Sequence, residues 1–266
     1  MTSSALPLAI TGVASGIGAA TAALLSAQGY RLIGIDRTVP TDFPGEFVQA
    51  DLSTPAGVQQ AADRVIELAP KGLRGLANIA GVPGTAPAKT VLAVNVFAVR
   101  GLTRALAPHF AEQSAVVNLA SSVAFLWRAE ASKCAQLTLA TDQEAALSAA
   151  LEDAGILENS YLFSKQCVRL LTEQLSAELL PKRIRVNSVS PGPVETPILE
   201  DFKKDHGRDK VDSAAELLGR FARPEEVAGV ISYLLSEQSG WVNGTDIRVD
   251  GGLMAYRGSA VLTATQ

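Results

Sequence analysis

The 266-residue sequence predicts an α/β protein, a single domain built on one doubly wound parallel sheet with helices on both faces. Two features carry that expectation. Short apolar runs at 8–10, 31–35, 47–50, 73–79, 115–119, 183–189 and 246–249 alternate with stretches of helical periodicity, the pattern of βαβ units. Glycines then cluster directly behind the first run, where such sheets bind ligands. Bulk composition agrees: 47% hydrophobic and 19% charged residues is an ordinary globular balance. The net charge of −4 gives no reason to expect nucleic acid or an anionic membrane surface as partner. No uncharged apolar run reaches the roughly 18 residues of a membrane span. A basic leader ahead of a long apolar core, the mark of a secretory signal, is not seen at the N-terminus. Cys134 and Cys167 stand in neither a Cys-x-x-Cys nor a metal-ligand spacing, and His109 and His206 are the only histidines. Reduced thiols in a cytoplasmic protein are therefore expected, with no metal site and no His-based triad.

In chain order, Thr11-Gly-Val-Ala-Ser-Gly-Ile-Gly18 follows the first strand and opens a helix that stops at Gly29. Glycines at such a turn let the backbone approach a pyrophosphate, whose charge then sits on the helix N-terminus. Gly12, Ser15, Gly16, Ile17 and Gly18 are thus candidate dinucleotide-binding residues of a Rossmann fold. The second strand ends at Ile35-Asp36-Arg37, about twenty residues beyond the turn, where an acidic residue can hold the adenosine ribose. Asp36 argues for NAD over NADP because a carboxylate repels a 2′-phosphate, whereas Arg37 beside it could hold one; NAD is the expectation. Asp51-Leu52 closes the third strand, where Asp51 either reaches the adenine or caps a helix. Asn78-Ile-Ala-Gly81 ends the fourth. Ala80 and Gly81 allow close approach to the cofactor, while Asn78 either joins them or pins strands together. Asn95 lies in the helical stretch 91–106 as either a tolerated polar residue or the holder of a water in a proton relay. Ser121 and Ser122 follow the fifth strand, where open α/β sheets bind ligands.

Tyr161-Leu-Phe-Ser-Lys165 carries the chemistry. Residues four apart share a helix face, about 5–6 Å between Cβ atoms. A fixed cation beside a phenol favours the phenolate. Lowering the tyrosine by about two or three units from its usual value near 10 is roughly 3–4 kcal/mol of differential stabilisation. That would make it a general acid and base at neutral pH.

Taken together, Thr-Gly-x-x-x-Gly-x-Gly at 11–18, Asn-Ile-Ala-Gly at 78–81, Asn95, a serine after strand five, Tyr161-x-x-x-Lys165 and Ser190-Pro-Gly-Pro-Val-Glu-Thr-Pro197 occur in one order. In them the chain resembles the short-chain dehydrogenase/reductase family, from about residue 6 to 254. The resemblance implies an NAD-dependent enzyme with a Ser–Tyr–Lys–Asn tetrad. Tyr161 would exchange the proton with the substrate oxygen, Ser121 would hydrogen-bond that oxygen, Lys165 would bind the nicotinamide ribose, and Asn95 would anchor the relay water. Thr196 would bond the carboxamide, with Pro191, Gly192 and Val194 lining that end of the cofactor. Ser121, three after Asn118, fits the family pattern, and Ser122 is the alternative. A homo-oligomer, tetramer or dimer, is also implied, packed through the helices near Asn95 and Tyr161.

Ser121 and Tyr161 stand 40 residues apart, far more than most members have, so an inserted segment is expected at about 124–158. Thr141-Asp-Gln-Glu144 has the form of a capping box, with Gly155 as a stop. Bacterial 3α-hydroxysteroid dehydrogenase/carbonyl reductases and coniferyl-alcohol dehydrogenases carry an insertion at this place. The resemblance therefore implies a hydrophobic or aromatic alcohol and its aldehyde or ketone as the substrate pair. Phe125, Leu126 and Trp127, with Ile198, Leu199 and Phe202, are candidate walls of an apolar pocket. The segment 195–220 reads as a lid, and the small, polar tail 258–266 as disordered.

Overall fold

The computed structural model describes residues 6–264. Leu8–Thr11 (β1) leads into Gly16–Ala27 (α1), Leu32–Asp36 (β2), Glu46–Gln49 (β3), Pro55–Leu68 (α2) and Leu73–Asn78 (β4). Ala88–Leu92 (α3), a π-helical stretch Ala93–Ala98 and Val99–Leu106 (α4) precede Phe110–Leu119 (β5). After a 3-10 segment come Ala131–Thr138 (α5), Gln143–Ala150 (α6), Ala154–Glu158 (α7) and the long Ser160–Leu179 (α8). Arg185–Pro191 (β6), Leu199–His206 (α9), Arg208–Leu218 (α10), Pro224–Leu235 (α11), Asp246–Val249 (β7) and Leu253–Ala264 (α12) complete the chain. All seven strands run parallel in the order β3-β2-β1-β4-β5-β6-β7.

Successive side chains of a strand face opposite sides, so a sheet covered on both faces needs apolar residues throughout. Leu8 and Ile10 face one layer with Ala22 and Leu25 of α1 and Val227, Ile231 and Leu234 of α11. Ala9, Ile33 and Ile35 face the other, with Val58, Ala62 and Val65 of α2, Leu102 and Leu106 of α4, and Leu171 and Leu175 of α8. This explains the continuous apolar runs. The stretch Ala88–His109 is long and apolar enough to cross a membrane by length and composition, but it is 78% buried within the protein.

The inserted segment is helical and builds a third apolar cluster. Cys134 and Leu137 of α5, Leu147 and Ala150 of α6 and Ile156 of α7 pack on Leu92, Val96, Phe97, Phe163 and Cys167. The cap differs from the expected box: Asp142, not Thr141, is the N-cap of α6 and accepts from Ala145 N at 3.0 Å. Gly155 is not a stop either. Asp153 accepts from Gly155 N at 2.9 Å and Ile156 N at 3.2 Å, so the glycine lies in the first turn of α7. The Arg100 guanidinium is buried and donates to the carbonyls of Thr138 at 3.0 Å and Ala140 at 2.9 Å, satisfying the C-terminal end of α5. Both thiols are buried and unbridged. Helix α12 runs as far as Ala264, and the end of the expected tail, 265–266, lies outside the described residues.

Candidate functional site

The chain reverses direction across the sheet between β1 and β4, and the crevice at the carboxyl ends of the strands opens there. Thr11 fixes that point: its Oγ1 accepts from Ile79 N and Ala80 N, both at 2.9 Å, tying the end of β1 to the end of β4. A cleft of about 690 Å³ follows, within the usual range for a small-molecule site.

Its cofactor-sized arm is lined by Gly12, Ser15, Gly16, Ile17 and Gly18 at the turn into α1. Gly12 has φ of 77°, and a Cβ there would come within 2.8 Å of the Ala80 backbone, so only glycine fits. Ser15 is the N-cap of α1 without a side-chain cap bond, and the first turn holds no acidic residue. Free N–H groups without a competing carboxylate suit a phosphate, so the residues present fit a dinucleotide. Asp36, Arg37, Asp51 and Leu52 line the same arm at the ends of β2 and β3. The Asp36 carboxylate accepts from Ala14 N at 3.0 Å and Thr38 N at 2.9 Å, which fixes it against the glycine turn. Asp51 accepts from Ser53 N at 2.9 Å, and this bond holds its carboxyl below the usual range. Ala80 and Gly81 form the floor; Pro191, Gly192, Val194 and Thr196 reach it from β6.

Asn78 does not belong to this arm. It is buried, and its Nδ2 donates to Asn118 Oδ1 at 2.9 Å and Thr103 Oγ1 at 3.0 Å, so it pins β4 to β5 and α4. A side chain on a central strand pointing into a helix layer cannot also reach the cleft.

At the other arm, Tyr161 and Lys165 occupy the first turns of α8, whose N-cap Asn159 accepts from Leu162 N at 3.1 Å. Ser121, the N-cap of the 3-10 segment that follows β5, is the serine whose side chain acts on the Tyr161 hydroxyl; both serines line the cleft. Lys165 Nζ donates to Leu119 O at 2.8 Å and stands 5.7 Å from the Tyr161 ring centroid. The expected lowering of the tyrosine does not follow from this geometry. Burial is the larger effect and pushes the Tyr161 hydroxyl up, opposed by the Ser121 side chain and reinforced by the charge of Asp205. The ammonium lies over the ring face rather than at the oxygen, and burial pushes Lys165 itself down to about 8.

Asn95 sits in the π-helical stretch behind Gly81, not on the cleft surface. Its Oδ1 accepts from Val82 N at 2.9 Å, and its Nδ2 donates to Val82 O at 3.1 Å and Ser164 Oγ at 3.0 Å. It thus clasps the cleft floor to α8; a local widening of a helix at such a place is a recurrent device. Ser164 is a residue that the sequence reading passed over. Its signal was present, since a serine three residues after a helical tyrosine can bond back to its carbonyl, here at 2.7 Å.

The aromatic walls divide. Ile198, Leu199 and Phe202 line the cleft, and the Phe202 ring lies 4.9 Å from that of Tyr161. Phe125, Leu126 and Trp127 do not: the 3-10 segment after Ser121 turns Phe125 outward beneath Arg248, exposes Leu126 and buries Trp127 elsewhere. Residues from the far end of the chain, Lys210 and Val211 of α10 and Met254 and Arg257 of α12, complete the wall instead. No local motif announces them.

The chain was compared with known proteins. Residues 8–136 match the family model described as short chain dehydrogenase, and residues 145–254 match one described as enoyl-(acyl carrier protein) reductase. The chain is 35% identical to coniferyl-alcohol dehydrogenase of a Pseudomonas species, over 92% of this chain and 95% of that protein. It is 34% identical to 3-alpha-hydroxysteroid dehydrogenase/carbonyl reductase of Comamonas testosteroni, over 97% and 98%. The crystal structure of a 3-alpha-hydroxysteroid dehydrogenase from another Pseudomonas, complexed with NADH, superposes with a TM-score of 0.80 at 36% identity, covering 94% of this chain and 97% of that one.

Proposed function

The chain belongs to the short-chain dehydrogenase/reductase family, and from that premise we propose that Ser121, Tyr161, Lys165 and Asn95 form the machinery of an NAD(H)-dependent oxidoreductase for a hydrophobic or aromatic alcohol and its carbonyl partner. The observation that carries these assignments is that Ser121, Tyr161 and Lys165 line one arm of a cleft whose other arm is a glycine turn. The nicotinamide, when bound, supplies or accepts the hydride. In reduction Tyr161, whose hydroxyl is held protonated, donates its proton to the carbonyl oxygen and is left as phenolate; in oxidation it must first give up that proton and then, as phenolate, takes the proton of the alcohol. Ser121 hydrogen-bonds the same oxygen and steadies the charge that develops there. Lys165 bonds the nicotinamide ribose and returns positive charge to the neighbourhood of the phenol. Asn95 acts by position, holding Val82 and Ser164 so that floor and helix keep their spacing. Asp36 receives the adenosine ribose, flanked by Arg37, while Asp51, Leu52 and Ala80 bound the adenine and Thr196 the carboxamide. Asn78 drops out of the cofactor set.

For the substrate, Phe202 over Tyr161 with Ile198 and Leu199 suits a flat apolar molecule. Coniferyl-type aromatic alcohols are the first candidates, and 3α-hydroxysteroids the second, favoured by the likeness to the NADH-complexed steroid dehydrogenase. Two buried, unbridged thiols suit a reducing, cytoplasmic setting. A panel of cinnamyl, benzyl and steroid alcohols with NAD, followed at the NADH absorbance band, tests this. Turnover of at least one class is expected. Tight NADH binding with no turnover of any would instead mark a dinucleotide sensor.

A further inference from the structure

The outer wall of the cleft joins an apolar surface to unpaired positive charge. Val211 and Ala214 of α10 and Leu253 and Met254 of α12 are buried or half-buried and line the cleft, and Lys210 and Arg257 stand on the same two helices beside them. Elsewhere in the lid, lysines and arginines are paired. Lys203 meets Glu200 at 3.2 Å and Asp212 at 3.0 Å, Lys204 meets Asp201 at 3.1 Å, and Arg208 meets Glu200 at 3.0 Å. Among the described residues neither Lys210 nor Arg257 is in an ion pair, although both border the cleft that holds Tyr161 and Ser121. Two cations from separate helices beside an apolar wall form a receptor for an anion carried on a hydrophobic body. At the inner end the Asp205 carboxylate lies against Gly84 and its charge acts on Tyr161, with the Lys165 ammonium over the same ring. The phosphates of the dinucleotide already have a place at the uncapped N-terminus of α1.

We propose that the substrate carries an anionic group, a carboxylate, at the end remote from its reacting oxygen, and that Lys210 and Arg257 receive it. This rests on the dehydrogenase assignment above and narrows its substrate class. The test compares two matched pairs of alcohols with the full chain at saturating NAD: 4-(hydroxymethyl)cinnamate with its methyl ester, and 3α-hydroxycholanate with its methyl ester. In at least one pair the acid should exceed its ester in kcat/KM by about tenfold, the scale of a charge-assisted contact. Added salt should shrink that advantage. In the Lys210→Ala, Arg257→Ala double variant, the acid-to-ester ratio should fall to about one. A ratio of one or less in both pairs with the unaltered protein would overturn the proposal while leaving the dehydrogenase assignment intact. Weakened NADH affinity in the double variant with the ratio preserved would also overturn it, giving the two cations to the cofactor's phosphates. No turnover of any of the four compounds, while an uncharged alcohol of the panel above is oxidised, would overturn this proposal and leave the dehydrogenase assignment intact.

Discussion

Lys165 is held almost out of water, with the Leu119 carbonyl as its hydrogen-bond partner, and its ammonium is pushed down from 10.5 to about 8. Between about pH 8 and 10.5 the unfolded chain therefore binds more protons than the folded one, so this residue makes stability rise with pH across that window. Denaturant titrations of the unliganded protein and of Lys165→Met should show the unaltered protein gaining on the variant from pH 8 to 10; a constant difference would contradict a desolvated ammonium. Tyr161→Phe should reduce kcat by about 10²–10⁴-fold, the usual share of a general acid, and leave NADH affinity nearly unchanged by fluorescence titration. Asp36→Ala should narrow the gap in kcat/KM between NAD and NADP several-fold, since it removes the carboxylate that repels a 2′-phosphate. The pair Tyr161 and Lys165 was legible because one helix sets both positions. The acidity of the tyrosine was not, because it depends on burial and on Asp205, 44 residues further along the chain. Asn78 shows the same limit: an asparagine at a strand end looks alike in sequence whether it faces a ligand or, as here, two side-chain partners in the interior.

The inserted helices act as a bracket on α8. Leu137 of α5 is 2% exposed within the cluster that contains Phe163 and Cys167 of α8, two residues to either side of Lys165. Leu137→Ala should cost about 2–5 kcal/mol through lost burial and the cavity left behind. At roughly 2–4 °C per kcal/mol for a chain of this size, that is a melting temperature lower by about 5–15 °C by calorimetry. The existence of helices in this segment was readable from spacing and capping residues. Where they dock was not, because their apolar faces carry no address, and even the cap moved by one residue when Asp142 offered a better acceptor than Thr141. Helices α9 and α10 were likewise visible as charged stretches, while their contacts with the cleft through Phe202 and Lys210 come from packing alone.

For the molecule as a whole, a doubly wound parallel sheet was legible from apolar runs alternating with helical periodicity, while the strand order β3-β2-β1-β4-β5-β6-β7 is a matter of packing that no local pattern states. How copies assemble was not legible either. The insertion buries Leu92, Val96, Phe97 and Phe163, a face near Asn95 and Tyr161, within the chain itself. Those side chains are thereby spent within one chain and are not free for contact between copies.

One apolar layer joins the two ends of the chain: Leu8, Ile10, Ala22 and Leu25 near the start are covered by Val227, Ile231 and Leu234 near the finish. During synthesis, then, the first β-α unit waits with a greasy flank uncovered until α11 has left the ribosome. Messages cut short upstream of α11 would yield clumping, protease-sensitive fragments rather than small nucleotide binders, and the nascent chain is a natural customer for a holding chaperone over most of its length.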